Sequence, residues 1–278
     1  MVKKYKLGLY EKAMPGNLSW NTKFSTARKV GYDYLEISID ETDEKLTRLN
    51  WNSKEVYKLG SIAKDEGMSI GSMCLSGHRR FPLGGKDDKK SLEIMENAIN
   101  FACEANIPVI QLAGYDVFYE KSTPETVEKF LINLDKSVKM ASREGILLGF
   151  ETMETSFMDT VKKVMKYVKT INSPFLGVYP DIGNLNNSSY LYNIDVCNDL
   201  ETGKGHIFAV HIKETVPGKY REIPFGKGKV DFEKFLSKTW EMGVRRYVTE
   251  LWDTGEKNWQ ERISEAFSLS NGILNKFN

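Results

Sequence analysis

ILLGFE at residues 146–151 and FLGVYPD at 175–181 share one form, a short apolar run that closes on a carboxylate. The form recurs twice toward the C-terminus, in IFAVH at 207–211 and YVTE at 247–250, with a histidine and a glutamate in the closing place. Glu151, Asp181, His211 and Glu250 thus stand 30, 30 and 39 residues apart, close to the length of one strand–helix unit. Short apolar runs at such intervals read as buried strands with room for a helix between them. The spacing predicts four neighbouring parallel strands whose ends aim three carboxylates and one imidazole at a common point.

Working toward the N-terminus, four further apolar runs appear at Tyr5–Tyr10, Tyr34–Ile39, Ser69–Leu75 and Val109–Ala113. With Ile146–Phe150, Phe175–Tyr179, Ile207–His211 and Tyr247–Leu251 they make eight expected strands. Amphipathic stretches at Lys54–Lys64, Ser91–Glu104, Thr126–Ser142, Met158–Thr170, Phe232–Met242 and Trp259–Leu274 supply helices between them and at the end. Ser122-Thr123-Pro124-Glu125 offers a capping hydroxyl and a proline suited to a first helical turn. Gly31, Gly67 and Gly145 each precede an apolar run by a few residues, where a left-handed residue ends a helix. Eight such units in 278 residues predict a single-domain α/β fold over 1–278, a (β/α)8 TIM barrel with its chemistry at the carboxyl ends of the strands. A doubly wound open sheet would usually carry a glycine fingerprint after its first strand, and YEKAMPG at 10–16 lacks one.

Composition narrows the function. Lys and Arg number 39 against 38 Asp and Glu, a net charge of +1, so no basic field for nucleic acid is expected. Cys74, Cys103 and Cys197 form no C-x-x-C pair, which predicts reduced thiols and a cytoplasmic address. The N-terminal stretch is too short and interrupted for a signal peptide, and no run of about 18 apolar residues predicts a membrane span. With His78, His206 and His211 the only histidines, a histidine-rich multinuclear centre is excluded.

Three carboxylates and an imidazole suit one divalent ion, whether manganese, magnesium, cobalt or zinc, and would repel one another without it. Glu151, Asp181, His211 and Glu250 are therefore the expected metal ligands. His206 lies before the seventh strand, on the side away from this set. His78, Arg79 and Arg80 fall in LSGHRRFPLG just beyond the third strand, where they are expected to meet an anionic substrate, and Lys213 shares the side-chain parity of His211. Gly84-Gly85 and FGKGK around Gly226 and Gly228 are weaker candidates for backbone contact with an anion. Tyr115, Phe118, Tyr119, Tyr190, Tyr192 and Trp252 follow strands and are either pocket lining or packing. A hard cation ringed by carboxylates can hold the carbonyl and neighbouring hydroxyl oxygens of a ketose and make the α-hydrogen labile. Glu151 and Glu250, from the first and last of the four strands, would then be the catalytic pair, one taking a proton from carbon 3 and the other returning one to the opposite face. A ketose–aldose isomerase, moving a proton between adjacent carbons, is compatible with the same pattern, as is a sugar-phosphate-binding barrel without catalysis.

Several longer segments add a resemblance. EKAMP, SIDETD, SMCLSGHRRFPLG, VIQLAGYDV, YPDIGNL, AVHIKET and PFGKGKVDF are similar to those of the L-ribulose-5-phosphate 3-epimerase family, from about residue 5 to the final helix. The resemblance implies a xylose-isomerase-like barrel, interconversion of L-ribulose 5-phosphate and L-xylulose 5-phosphate through a metal-stabilised enediolate, and a role in L-ascorbate or pentose catabolism. It implies the same four ligands and the same two acid/base glutamates. In related epimerases of non-phosphorylated ketoses a histidine stands three residues after the ligand aspartate, where this chain has Asn184, and an arginine shortly after the ligand histidine is replaced within Glu214–Pro217. These departures favour a differently held, phosphorylated ketopentose. Abasic-site DNA endonucleases share the superfamily but need three zinc ions and more histidines than this chain has. A homodimer is the expected assembly.

Overall fold

The computed structural model describes residues 3–278. Its strands are β1 (Lys6–Tyr10), β2 (Tyr34–Ile39), β3 (Ser69–Leu75), β4 (Val109–Ala113), β5 (Leu147–Glu151), β6 (Leu176–Tyr179), β7 (Val210–Ile212) and β8 (Arg246–Thr249). Each pairs in parallel with its sequence neighbour from β1 to β6, β8 joins β1 to β7, and the bridges Val178–Ile207 and Asp181–His211 bring β6 against the β7 segment. The ring is the expected barrel.

Around it lie α1 (Trp20–Val30), α2 (Asp43–Thr47), α3 (Ser53–Asp65), α4 (Asp88–Glu104), α5 (Pro124–Arg143), α6 (Val161–Ile171), α7 (Ile182–Tyr192), α8 (Val196–Glu201), α9 (Phe232–Glu241) and α10 (Trp259–Asn275). Thr123 caps α5 with its hydroxyl, and Pro124 occupies the first turn. The period of apolar residues missed α7 because its sequence, IGNLNNSSYLY, buries Asn184, Asn186, Asn187 and Ser188 rather than an apolar stripe. β7 begins later than expected, since Ile207 meets the barrel only through its isolated bridge to Val178.

Strand alternation sorts side chains between two environments. On β2, Leu35, Ile37 and Ile39 belong to the main apolar core, whereas Tyr34, Glu36 and Ser38 occupy the other face of the strand, inside the ring. The β2–β3 register slips by one residue, from Leu35–Ile70 to Glu36–Ser72, leaving Gly71 as the extra residue of a bulge. That slip turns Ser72 inward beside Glu36, although Ile70, of the same parity, packs in the main core. A Cβ on Gly71 would stand 2.2 Å from the Tyr34 ring, so the bulge also makes room for that ring on the barrel floor.

Candidate active site

The ends of β5 to β8 converge as the spacing predicts. Glu151 ends β5, Asp181 follows β6 as the N-cap of α7, His211 lies in β7, and Glu250 follows β8. One potential ligand atom from each falls within 4.8 Å of the other three, and all four side chains are buried. His211 Nδ1 lies 3.3 Å from both Glu151 Oε1 and Glu250 Oε2. Asp181 Oδ1 accepts the backbone N–H of Asn184 at 2.8 Å, which leaves Oδ2 for the cluster.

Electrostatics distinguish the four. Burial and the nearby Glu250 raise Glu151 above the usual carboxylate range. Burial likewise pushes Asp181 well up, despite the Lys213 ammonium. Burial works the same way on Glu250, but the charges of Lys213 and His211 outweigh it and hold that carboxyl well down. His211 is raised well above an ordinary imidazole because Glu36 and Glu250 overcome the effect of burial. Asp181 Oδ2 and Glu250 Oε2 are buried and take no directed hydrogen bond, although Lys213 Nζ stands 2.6 and 3.5 Å from them. Free lone pairs on converging hard oxygens, with one imidazole nitrogen among them, fit a divalent cation.

A cavity over this cluster is lined by Tyr10, Lys12, Cys74, Ser76, Arg79, Glu151, Asn184, Lys213, Arg221, Glu250 and Trp252 among others. Of the basic residues singled out in the sequence, Arg79 and Lys213 line this cavity. His78 and Arg80 do not. Gly77–Arg79 forms a 3-10 turn, whose residues point about 120° apart, so of the three consecutive basic residues only Arg79 reaches the cavity. His78 is buried with Nε2 3.0 Å from the Ser91 carbonyl, and Arg80 pairs with Asp43 on the outside at 2.6 Å. Both side chains, expected from the sequence to face an anionic substrate, thus point away from the cavity.

Two cations in the lining escaped the sequence reading. Lys12 follows Glu11, a fully buried carboxylate that accepts from Lys23 at 3.0 Å, Lys45 at 2.7 Å and Arg48 at 2.7 Å. Burial opposes ionisation of Glu11, but Arg48, Lys23 and Lys45 hold it far below the carboxylate range, and the clamp fixes the turn that presents Lys12. Arg221, from the β7–α9 connection, pairs with Glu154 at 2.9 Å and stands 5.5 Å from the Trp252 ring centre. FGKGK also has an anion, but an internal one. Glu214 accepts backbone N–H groups of Thr215, Gly226 and Val230 at 2.9–3.2 Å, and a Cβ on Gly228 would strike its Oε1. Of the candidate aromatics Trp252 lines the cavity, while Tyr190 and Tyr192 are exposed and Tyr119 donates to Glu41 at the surface.

A family profile described as xylose isomerase-like TIM barrel matches residues 24–269. L-ribulose-5-phosphate 3-epimerase UlaE of Salmonella heidelberg (strain SL476) is 42% identical over 268 residues, covering 95% of this chain and 93% of that protein. Its namesake in Escherichia coli (strain K12) is 41% identical with the same coverage. Among solved structures, D-psicose 3-epimerase from Clostridium cellulolyticum H10 with D-tagatose aligns at a TM-score of 0.77 and 14% identity, over 97% of this chain and 99% of that one. This last likeness is one of fold.

Proposed function

Because the chain belongs to the L-ribulose-5-phosphate 3-epimerase family of xylose isomerase-like TIM barrels, we propose that it is an isomerase interconverting L-ribulose 5-phosphate and L-xylulose 5-phosphate at carbon 3. The observation that carries the reading is the convergence of Glu151, Asp181, His211 and Glu250 beneath a cation-lined cavity. These four would hold one divalent ion, of the manganese, zinc, cobalt or magnesium type. Bound there, it supplies Lewis-acid polarisation of the ketose carbonyl, which acidifies the neighbouring C–H.

The protein's own groups do the rest. Glu151 and Glu250 are the acid/base pair. In one direction the first takes the carbon-3 proton as the C–H electrons pass into the adjacent carbonyl, and those electrons then return to carbon 3, whose opposite face takes the proton of the second as the carbonyl re-forms. In the other direction the roles exchange. Gln111 Nε2 donates to Glu151 Oε2, which steers the other carboxylate oxygen toward His211 and the site. Lys12, Arg79 and Arg221 offer positive charge to the 5-phosphate, and Lys213 reaches the oxygens nearest the reacting carbons. The role we propose for this reaction is in L-ascorbate or pentose catabolism.

The test is turnover of L-ribulose 5-phosphate in deuterated water, with added manganese and with a chelator. The expected result is L-xylulose 5-phosphate carrying deuterium at carbon 3, abolished by chelation. Exchange confined to carbon 1 with an aldose product would overturn the reading in favour of a ketose–aldose isomerase.

A further inference from the structure

Glu36 is a buried carboxylate on the inner face of β2 that the proposed reaction leaves without a task. It lies in the middle of β2, fully buried, with its Oε1 2.6 Å from His211 Nε2. Its other oxygen accepts the Ser72 hydroxyl at 2.6 Å and the Tyr179 hydroxyl at 2.8 Å. We infer that Glu36 is a positioning residue that fixes the tautomer and orientation of His211, so that Nδ1 is the nitrogen offered to a metal ion.

An ionised carboxylate only accepts, so the nitrogen facing it must carry a proton. With the proton on Nε2, the lone pair of the neutral ring is on Nδ1, the atom 3.3 Å from Glu151 Oε1 and from Glu250 Oε2. A ring flip would exchange these nitrogens, and the packing resists it. The Tyr179 ring stands edge-on to the imidazole with centres 4.8 Å apart, and the same tyrosine donates to Glu36. Ser72 reaches Glu36 only because the Gly71 bulge turns it inward. Bulge, serine, tyrosine and glutamate thus form one support built under a single imidazole. Partners of this kind on a ligating histidine typically account for 10–100-fold in metal affinity.

This inference rests on the metal reading of the four-residue cluster, and one titration separates the two. Manganese binding to metal-stripped protein is followed by electron paramagnetic resonance of the free ion, for the wild type and the Glu36→Gln, Tyr179→Phe and Ser72→Ala variants. Nitrogen-15 NMR of the wild type loaded with zinc reads which ring nitrogen of His211 is protonated. Wild-type binding, a proton on Nε2, a 10–100-fold weaker Glu36→Gln and a several-fold loss in the two hydroxyl variants are expected. Affinity within twofold of wild type in Glu36→Gln, or a proton on Nδ1, would overturn the positioning role and leave the metal reading intact. Should Glu36→Gln fail to fold, unchanged affinity in both Tyr179→Phe and Ser72→Ala would overturn it equally. Absence of any binding by the wild type would overturn the metal reading and this inference with it.

Discussion

Lys213 and a divalent cation are rivals for the same oxygens, since the ammonium lies 2.6 Å from Asp181 Oδ2 and 3.5 Å from Glu250 Oε2. Breaking a buried pair by removing one partner typically costs about 3–5 kcal/mol, because a charge is left uncompensated. Lys213→Met keeps much of the bulk without the charge, and its metal-free form should therefore melt well below the wild type. Manganese should restore more of its melting temperature than it adds to the wild type, because the ion then faces no competing cation. Thermal scans of both proteins with and without the metal check this, and equal metal-induced shifts would contradict it. His78 gives a prediction of the opposite kind, away from the site. Burial pushes its imidazole down to about 4 from an ordinary 6.5, so the folded protein resists a proton that the unfolded chain accepts. Stability at this residue is complete above pH 6.5, is lost as pH falls toward 4, and changes no further below that. The difference corresponds to about 3 kcal/mol. His78→Gln, which keeps a donor for the Ser91 carbonyl, should gain on the wild type by up to this amount between pH 6.5 and 4 in urea melts.

At the scale of elements, α7 ties helix capping to the proposed metal site. Asp181 is the N-cap, its Oδ1 accepting the Asn184 N–H and its Oδ2 left over for the proposed site. Asparagine is as good a cap as aspartate, whereas alanine is a poor one and costs typically about 1 kcal/mol. Both Asp181→Asn and Asp181→Ala remove the buried partner of Lys213 and should lose metal affinity and stability on that account, but Asp181→Asn keeps the helix cap and should stay about 1 kcal/mol the more stable of the two. Circular dichroism melts paired with metal titration separate the two effects, and equal melting temperatures for the metal-free variants would show that the cap contributes nothing. The same element shows where sequence reading ends. Asp181, Glu151, His211 and Glu250 were legible because each interrupts or closes an apolar run at a repeating interval. Glu36 sits inside its run, between Leu35 and Ile37, and its only signal is a charge in the middle of an apolar strand, at period two with Tyr34 and Ser38. Lys12 and Arg221 belong to connections, where no periodicity indicates direction. For His78 and Arg80, loop membership says which end of the barrel a residue occupies, whereas the turn geometry decides which way it points.

For the whole molecule, a net charge of +1 conceals strong internal segregation. Carboxylates gather at the ends of β5 to β8, cations ring the cavity above them, and a second buried cluster around Glu11 secures the first loop. The barrel closes at the β6–β7 seam through two isolated bridges, and one of them joins Asp181 to His211, so two of the four proposed ligands lie where closure is thinnest. A metal held there would bridge the seam as well as serve the reaction. Anything that binds the folded chain and not the unfolded one stabilises it by mass action, about 2.7 kcal/mol at a concentration 100 times the dissociation constant. For a chain of this size each kcal/mol is about 2 °C in melting temperature, so a divalent ion at that concentration should raise it by roughly 5 °C and a chelator should reverse the gain. Glu151→Gln should shrink that shift by weakening the same site. Hydrogen exchange locates the effect: amides paired across the seam, such as those of Val178, Phe208 and His211, should slow most when metal is added. Uniform slowing around the ring would mean that the ion stabilises the fold globally and that the seam is no weaker than the other strand pairs.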